Sequence, residues 1–247
     1  MLALLPQTAP PNPPTLAIDG FVVGARIGNV WRPVDIKQGW ARRPATAFRE
    51  IGVTRLGRSI QAKFTDEEVP QGVYLDPSVT VREGILVAGA TPRVPRRAVE
   101  IPANSATYAR TLREFLDAKG LRRAKPRVRR IVSVDLDGDG TKEVLIEARS
   151  AEDLDRRSLT ASFGHSDYSF VLLRAIHNGR VVTIPIGDAG GPKGDGLLHK
   201  LRAIADLDGD GRMEIVTSYT AWEAFGGTLY SYRTGKATKL VQSGSGF

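Results

Sequence analysis

Two short acidic segments of the chain share one spacing of carboxylates. The segments DLDGDGTKE (135–143) and DLDGDGRME (206–214) lie 71 residues apart, and each places side-chain carboxylates at positions 1, 3, 5 and 9. Such donors can converge on one point, and the residue at position 7 can add its backbone carbonyl. Ca²⁺ accepts about six to eight oxygen ligands in flexible geometry, whereas Mg²⁺ demands a tighter octahedron and keeps its waters. We therefore predict two calcium sites, with the ligands Asp135, Asp137, Asp139, Thr141 and Glu143 in the first and Asp206, Asp208, Asp210, Arg212 and Glu214 in the second.

Two other interpretations of the acidic segments are a polar turn and an EF-hand. Asp and Gly both favour turns, but four closely spaced negative charges, found twice, repel one another unless a cation lies between them. An EF-hand needs a bidentate Glu at position 12 and a helix on each side. Position 12 is Ile146 in the first segment and Thr217 in the second, and flanking sequences such as IVSV and EIVTSY favour strands. Each loop is therefore predicted to join two strands.

A nine-residue acidic loop between two strands resembles the calcium loops of FG-GAP and VCBS-type repeats. Such repeats occur in the β-propellers of integrin α chains and in bacterial secreted proteins. The resemblance rests on the pattern Asp-x-Asp-Gly-Asp-Gly-x-x-Glu at 135–143 and, with the same spacing, at 206–214. It implies that positions 1, 3, 5, 7 and 9 bind calcium. The whole chain is also similar in layout to bacterial secreted or envelope proteins that carry two such motifs, and for that group the resemblance implies no particular activity.

The remaining sequence predicts a mainly β protein with one amphipathic helix, an α+β fold. The predicted segments are a flexible Pro-rich N-terminus or signal-peptide remnant (1–17), an irregular β region (18–100), a helix with a basic linker (101–126), and two calcium-loop repeats within 127–247 (127–187 and 198–243). Each repeat is predicted to form a four-stranded antiparallel, blade-like meander, with a tight turn at Asn178-Gly179 or at Thr234-Gly235.

The predicted helix carries apolar residues at helical spacing from Tyr108 to Leu116. Asn104 or Ser105 can cap its start, and Gly120 is expected to end it. One face of this helix should therefore pack on a sheet.

The number of repeats argues against a closed propeller, which uses about four to eight blades. Either the N-terminal strands form degenerate additional blades, or two meanders pack in an open arrangement. We favour the open arrangement.

Positive charge is concentrated in residues 82–130, which contain thirteen basic and four acidic residues, while the whole chain has a net charge of +8. This region is expected to be a solvated face, a surface for an anionic envelope polymer or another protein, or a nucleic-acid footprint. An internal role is a further interpretation, in which part of the charge lies beside the acidic loops. No DNA- or RNA-binding motif accompanies the basic residues, so nucleic acid is not the favoured partner.

Few residues suggest catalysis. The chain has no Cys, which excludes disulfides, zinc-thiolate sites and cysteine nucleophiles. Its three histidines, His165, His177 and His199, fall in different predicted segments.

We therefore predict a non-catalytic, calcium-stabilised binding or scaffold protein that is extracellular, periplasmic or attached to the cell envelope. The alternatives are an envelope-polymer hydrolase with structural calcium sites and a basic nucleic-acid-binding protein. No stretch is apolar for long enough to predict a transmembrane helix.

Overall fold

The computed structural model describes residues 12–68, 71–76, 81, 83–89, 92–150, 167–190, 197–221 and 224–246. These residues form three antiparallel sheets and one α-helix, so the predicted mainly β fold is confirmed. The elements in chain order are β1 (Thr15–Ile18), β2 (Phe21–Ile27), β3 (Val30–Arg32), β4 (Thr46–Ile51), β5 (Leu56–Glu68), β6 (Gln71–Asp76), β7 (Ile85–Ala88), β8 (Val99–Ile101), α1 (Ala106–Ala118), β9 (Val128–Val134), β10 (Glu143–Arg149), β11 (Tyr168–His177), β12 (Arg180–Gly190), β13 (Leu198–Ala205), β14 (Glu214–Thr220), β15 (Ala224–Arg233) and β16 (Lys236–Gly246). Two short 3-10 turns, Ile36–Gln38 and Trp40–Arg42, follow β3.

The N-terminal sheet closes on itself. Its strand order is β1-β7-β4-β5-β6-β2-β3, and the further pairing of β1 with β2 makes a ring of six strands. Side chains inside this ring include Trp40, Phe48 and Phe64, all almost fully buried. The region that we expected to be irregular is therefore a regular, closed sheet. Its short strands gain their order from non-local pairing, which the local sequence does not reveal.

Strand β1 lies partly within residues 1–17, which we expected to be flexible. It begins at Thr15, and its four residues are all buried. Leu16 and Ile18 point to the second repeat, whereas Ala17 points into the ring. Burial of both faces explains why these residues belong to the folded part of the chain. Residues 1–11 lie outside the described part.

The first repeat forms the predicted meander of β9, β10, β11 and β12, and β8 adds a fifth strand beside β9. Helix α1 packs on the outer face of this sheet, where Leu112 and Leu116 contact the cluster of Ile146 and Phe170. Ser105 is the N-cap residue, but its side chain makes no capping hydrogen bond. Gly120 has a φ of 78°, as expected of a residue that ends a helix.

The second repeat, β13 to β16, is the central layer of the molecule. Ile204 and Ile215 pack on the first meander, whereas their neighbours Ala203 and Val216 pack on the ring. Because side chains alternate between the faces of a strand, a sheet covered on both sides needs nearly continuous apolar sequence. The two meanders thus share a core. The last strand of each repeat ends three residues beyond its predicted boundary, at 190 and 246.

The hairpin turns of the two repeats differ in the space around their glycines. Gly179 and Gly235 have similar φ values of 71° and 78°, but a Cβ on Gly235 would come within 2.6 Å of the His177 ring, whereas nothing lies within 4 Å at Gly179. Gly179→Ala is expected to cost about 1–2 kcal/mol because of its left-handed backbone. Gly235→Ala should cost more, since the turn or His177 must also move. Urea unfolding of both variants measures the difference, and equal losses would contradict this contact between the repeats.

None of the helices among the described residues is both long and apolar enough to cross a membrane.

Candidate metal centres

The first acidic loop connects β9 to β10 and is folded by its own carboxylates. Asp135 follows β9 directly, and its two side-chain oxygens accept hydrogen bonds from the backbone N–H groups of Gly138 (2.7 Å) and Gly140 (3.2 Å). Glu143, the first residue of β10, reaches back to accept the N–H of Leu136 at 2.9 Å. The glycines have φ values of 81° and 88°, which glycine adopts at little cost. These bonds make the chain turn around its acidic side chains.

The second loop, between β13 and β14, repeats this network position by position. Asp206 accepts the N–H groups of Gly209 (2.6 Å) and Gly211 (3.1 Å), and Glu214 accepts the N–H of Leu207 at 2.7 Å. The carboxylate at position 5 accepts the N–H of position 7 in both loops, at 2.6 Å from Asp139 and 2.8 Å from Asp210. Two segments 71 residues apart thus share these hydrogen bonds as well as one spacing.

The side-chain oxygens of each loop converge. Asp135, Asp137 and Glu143 place one oxygen each within 4.8 Å of one another, and so do Asp206, Asp208 and Asp210. These six carboxylates belong to the predicted ligand set.

The other predicted ligands lie in the same two loops, but they are not members of these close clusters among the described residues. Asp139 and Glu214 have carboxylates that are engaged with backbone N–H groups of their own loops. Thr141 and Arg212 lie at position 7, where their N–H groups are held. The coordination proposed through their backbone carbonyls stays a prediction.

Asp137 is the residue whose environment best fits a cation. Its Oδ2 accepts a long hydrogen bond from the N–H of Thr234, at 3.4 Å. Its Oδ1 is buried and has no hydrogen-bond partner among the described residues. A buried carboxylate oxygen without a donor is costly, and a bound divalent cation would remove that cost. The donor set of the first loop, made of hard oxygens, fits calcium.

Burial perturbs the carboxyl at position 9 of both loops. The pKa of Glu143 is raised to about 7, mainly by desolvation and also by the nearby Asp137, against the lowering effect of the Leu136 N–H. Desolvation likewise raises the pKa of Glu214 to about 8, with Asp208 and Asp210 acting in the same direction. In the protein without metal, each loop therefore tends to hold a proton where a cation would otherwise neutralise it.

These pKa shifts predict how the stability of the calcium-free protein depends on pH. The folded pKa values of Glu143 and Glu214 lie above the ordinary carboxyl value of 4.5. The folded state therefore binds more protons than the unfolded state between about pH 4.5 and 8, and the free energy of unfolding should fall as pH rises through this window. Calcium binding should release protons in the same window. Melting temperatures across pH, with calcium and after its removal, test this, and a calcium-free stability that rises from pH 5 to 8 would contradict it.

The two loops touch each other. The N–H of Met213 donates to the carbonyl of Leu136 at 2.8 Å, which joins the second loop to the first. Arg96 lies across both: its guanidinium donates to the carbonyls of Asp135 (2.5 Å), Leu136 (3.0 Å) and Gly211 (2.7 Å). The predicted metal centres are therefore one structural unit at the junction of the two meanders.

Cationic side chains surround this unit. Arg96 Nε lies 3.8 Å from Asp135 Oδ1, so part of the basic region 82–130 does lie beside an acidic loop. Arg26 donates to the carbonyl of Asp208 at 3.1 Å, and Arg233 donates to the carboxylate of Asp210 at 3.2 Å. The contact of Arg26 could not be predicted from the sequence, because this residue lies 182 residues before its partner and belongs to the ring.

The described histidines have structural surroundings. His177 lies at the first hairpin turn, with Nε2 3.2 Å from the Asn178 side-chain nitrogen. The backbone of His199 bonds with the buried hydroxyl of Ser169, through its N–H at 2.9 Å and its carbonyl at 3.1 Å. His165 lies outside the described residues.

Comparisons of the chain with protein-family models, with curated proteins and with solved structures gave no match. The assignment of function therefore depends on the residues themselves.

Proposed function

We propose that this chain is a calcium-binding, calcium-stabilised protein with a binding or scaffold role rather than a catalytic one. The observation that carries the proposal is the duplicated hydrogen-bond network, which turns two loops of identical carboxylate spacing around convergent oxygens. A polar turn needs none of this convergence. The resemblance of both loops to FG-GAP and VCBS-type calcium loops agrees with the same proposal.

Calcium would add to the contacts with which Arg96 already joins the two loops. Each loop ends two strands of one meander, and the loops meet through Met213 and Leu136. A cation in each loop would neutralise carboxylates that now repel one another and would fix the junction between the meanders. Ligands that bind only the folded state stabilise it by mass action. Each site would therefore add about 1.4 kcal/mol to the free energy of unfolding when the free calcium concentration is ten times the dissociation constant.

This mechanism favours a location outside the cytoplasm. Calcium modules of extracellular proteins have dissociation constants of about 10⁻⁴ to 10⁻³ M. Free calcium reaches such concentrations outside the cell, whereas cytosolic calcium is too dilute to fill sites of that affinity. We therefore propose an extracellular, periplasmic or envelope-attached protein.

The partner is proposed to be anionic, an envelope polymer or an acidic protein surface. Part of the basic region has an internal role, since Arg96 holds the loops and Arg130 pairs with Glu100. The segment after α1 keeps an exposed set of cations, namely Arg122, Arg123, Lys125 and Arg127. This segment is the surface that we propose for the partner.

Thermal melting in calcium and in a chelator tests the calcium proposal. The parent protein should melt at a higher temperature in millimolar calcium, and the double variant Asp137→Ala with Asp208→Ala should lose most of this increase. Asp76→Ala with Glu114→Ala, two exposed carboxylates outside the loops, is the matched control and should keep it. An unchanged melting temperature in the parent, or an undiminished increase in the loop variant, would overturn the proposal.

A further inference from the structure

A polar cavity lies at the opposite end of the meander strands from the acidic loops. Its volume is about 440 Å³, which is within the range of small-molecule sites. It is lined by the first residues of β9, the end of β10 and the start of β13. Glu83, just before β7, and Glu100 from β8 complete its wall. The cavity thus forms where the three sheets come together, and it shares no residue with the acidic loops.

A β-bulge lies beside this cavity in each meander, and the bulge in β9 brings two neighbouring cations to it. In β9, Arg130 pairs with Glu147 and Val128 pairs with Ala148, so Arg129 is the additional residue of a bulge. In a regular strand, neighbouring side chains point to opposite faces, yet both Arg129 and Arg130 line the cavity. A bulge allows this because it redirects the side chain of the additional residue.

The second meander has its bulge at the same cavity. Leu201 pairs with Thr217 and Ala203 with Val216, which makes Arg202 the additional residue. Lys200, two residues before the bulge, lines the cavity together with Arg202. Each sheet therefore departs from regular pairing at the point where it supplies cations to the same space.

A buried carboxyl joins the two sheets at the cavity wall. Glu147 is 9% exposed, and its Oε2 accepts the backbone N–H of Leu201 at 3.1 Å, across the sheet boundary. Arg202, 6% exposed, is fixed by the carbonyls of Gly84 (3.0 Å) and Val81 (2.7 Å) and by the carboxylate of Asp19 (2.7 Å). These bonds make the wall a built structure rather than a collection of mobile surface side chains.

The charge of the lining selects for an anion. Five basic and three acidic side chains line the cavity, and Asp19 pairs with one of the five, Arg202, so the balance of charge is positive. Desolvation raises the pKa of Glu147, whereas the nearby Arg149, Lys200 and Arg130 act in the opposite direction. Guanidinium groups form paired hydrogen bonds to tetrahedral or planar oxyanions, and an ammonium group adds a compact charge.

We propose that this cavity binds a phosphate monoester, with Arg129 and Arg149 from the first meander and Lys200 from the second around its phosphoryl group. A phosphate monoester carries a charge of about −1.5 to −2 at pH 7, opposite in sign to the lining, and the volume leaves room for a small polar group. Glu83 and Glu100 can accept hydrogen bonds from hydroxyl groups of that part. This site is independent of calcium.

Calorimetric titration with glycerol 3-phosphate tests this site on the full chain, with glycerol as the uncharged control. The titration is run both in calcium and after the protein has been passed over a chelating resin, so that loss of the calcium sites is distinguishable from loss of this one. Saturable binding of one equivalent is expected in both buffers, inorganic phosphate should compete for it in the metal-free buffer, and glycerol should give no signal. Lys200→Gln should weaken binding at least tenfold, whereas Lys236→Gln, an exposed lysine on β16, should leave it unchanged.

Three results would overturn the proposal. The first is the absence of saturable binding in the parent protein, a measurement that does not depend on whether a variant folds. The second is equal weakening in the Lys200 and Lys236 variants, which would reduce the binding to general charge attraction. The third is tighter binding of a short DNA duplex than of glycerol 3-phosphate, together with loss of that DNA binding in Lys200→Gln. This result would assign these cations to nucleic acid.

Discussion

Replacing Glu214 by glutamine is expected to raise the melting temperature of the calcium-free protein at pH 9 and to reduce the further increase that calcium produces. Glu214 is 2% exposed, and desolvation raises its pKa to about 8. At pH 9 its carboxylate is ionised in an unfavourable environment, and relief of that charge should gain on the order of a few kcal/mol. The glutamine side-chain oxygen can still accept the Leu207 N–H, so the turn is kept. The lost charge should weaken the second site, and calcium should then stabilise the variant about half as much as the parent.

Two further variants control this experiment. Glu143→Gln, in the first loop, should also raise the calcium-free melting temperature and reduce the response to calcium. Its calcium-free increase should be smaller, because the pKa of Glu143 is about 7. Glu114→Gln removes an exposed carboxylate on α1 and should change neither quantity. If Glu214→Gln lowers the calcium-free melting temperature at pH 9, or leaves the response to calcium intact, the second loop is a structural turn and not a metal centre.

Replacing Arg96 by methionine is expected to destabilise the protein by about 2–4 kcal/mol. The guanidinium donates to three carbonyls, Asp135, Leu136 and Gly211, and so connects the two loops. Hydrogen bonds from charged groups contribute about 1.5–3 kcal/mol each, but the side chain is 24% exposed and Leu136 keeps its bond from Met213. The total should therefore be less than the sum of three such bonds. Methionine has a similar length and conserves much of the packing.

Arg97→Met is the matched control, because Arg97 is the exposed neighbour of Arg96 in the same segment. It should change the free energy of unfolding by less than about 0.5 kcal/mol, as is usual for surface substitutions. Urea unfolding in calcium and in chelator gives both values. Equal losses of unfolding free energy in the two variants would show that Arg96 acts only through its charge. The two loops would then not be held together by this residue.

Local signals in the sequence were sufficient for the elements that the chain forms with its neighbours. The helix follows from apolar residues at helical spacing up to Leu116 and from Gly120, and the hairpins follow from Asn178-Gly179 and Thr234-Gly235. The acidic loops could be placed between strands because alternating carboxylates and glycines lie between apolar segments. Each of these features depends on residues within about ten positions of one another.

Features that depend on distant residues could not be predicted in this way. Closure of the N-terminal ring requires β1 to pair with both β2 and β7. The register of such pairing cannot be deduced from the sequence of any one strand. Arg96 reaches its carbonyl partners across 39 and 115 residues, and Arg26 reaches Asp208 across 182. The sequence showed that cations are abundant, but only the folded chain assigns these three contacts.

The cavity is a further case in which sequence spacing misleads. Arg129 and Arg130 would face opposite sides of an unbroken strand, and only the bulge brings them to one space. No local pattern in the sequence marks that bulge.

Calorimetric titration of the metal-free chain with calcium tests the central claim most directly. The two loops predict two equivalents of calcium per chain, with dissociation constants of about 10⁻⁴ to 10⁻³ M, and proton release on binding between about pH 4.5 and 8. Asp137→Ala and Asp208→Ala should each reduce the number of sites to one. A chain that binds no calcium, or that still binds two equivalents when both aspartates are replaced, would contradict the account.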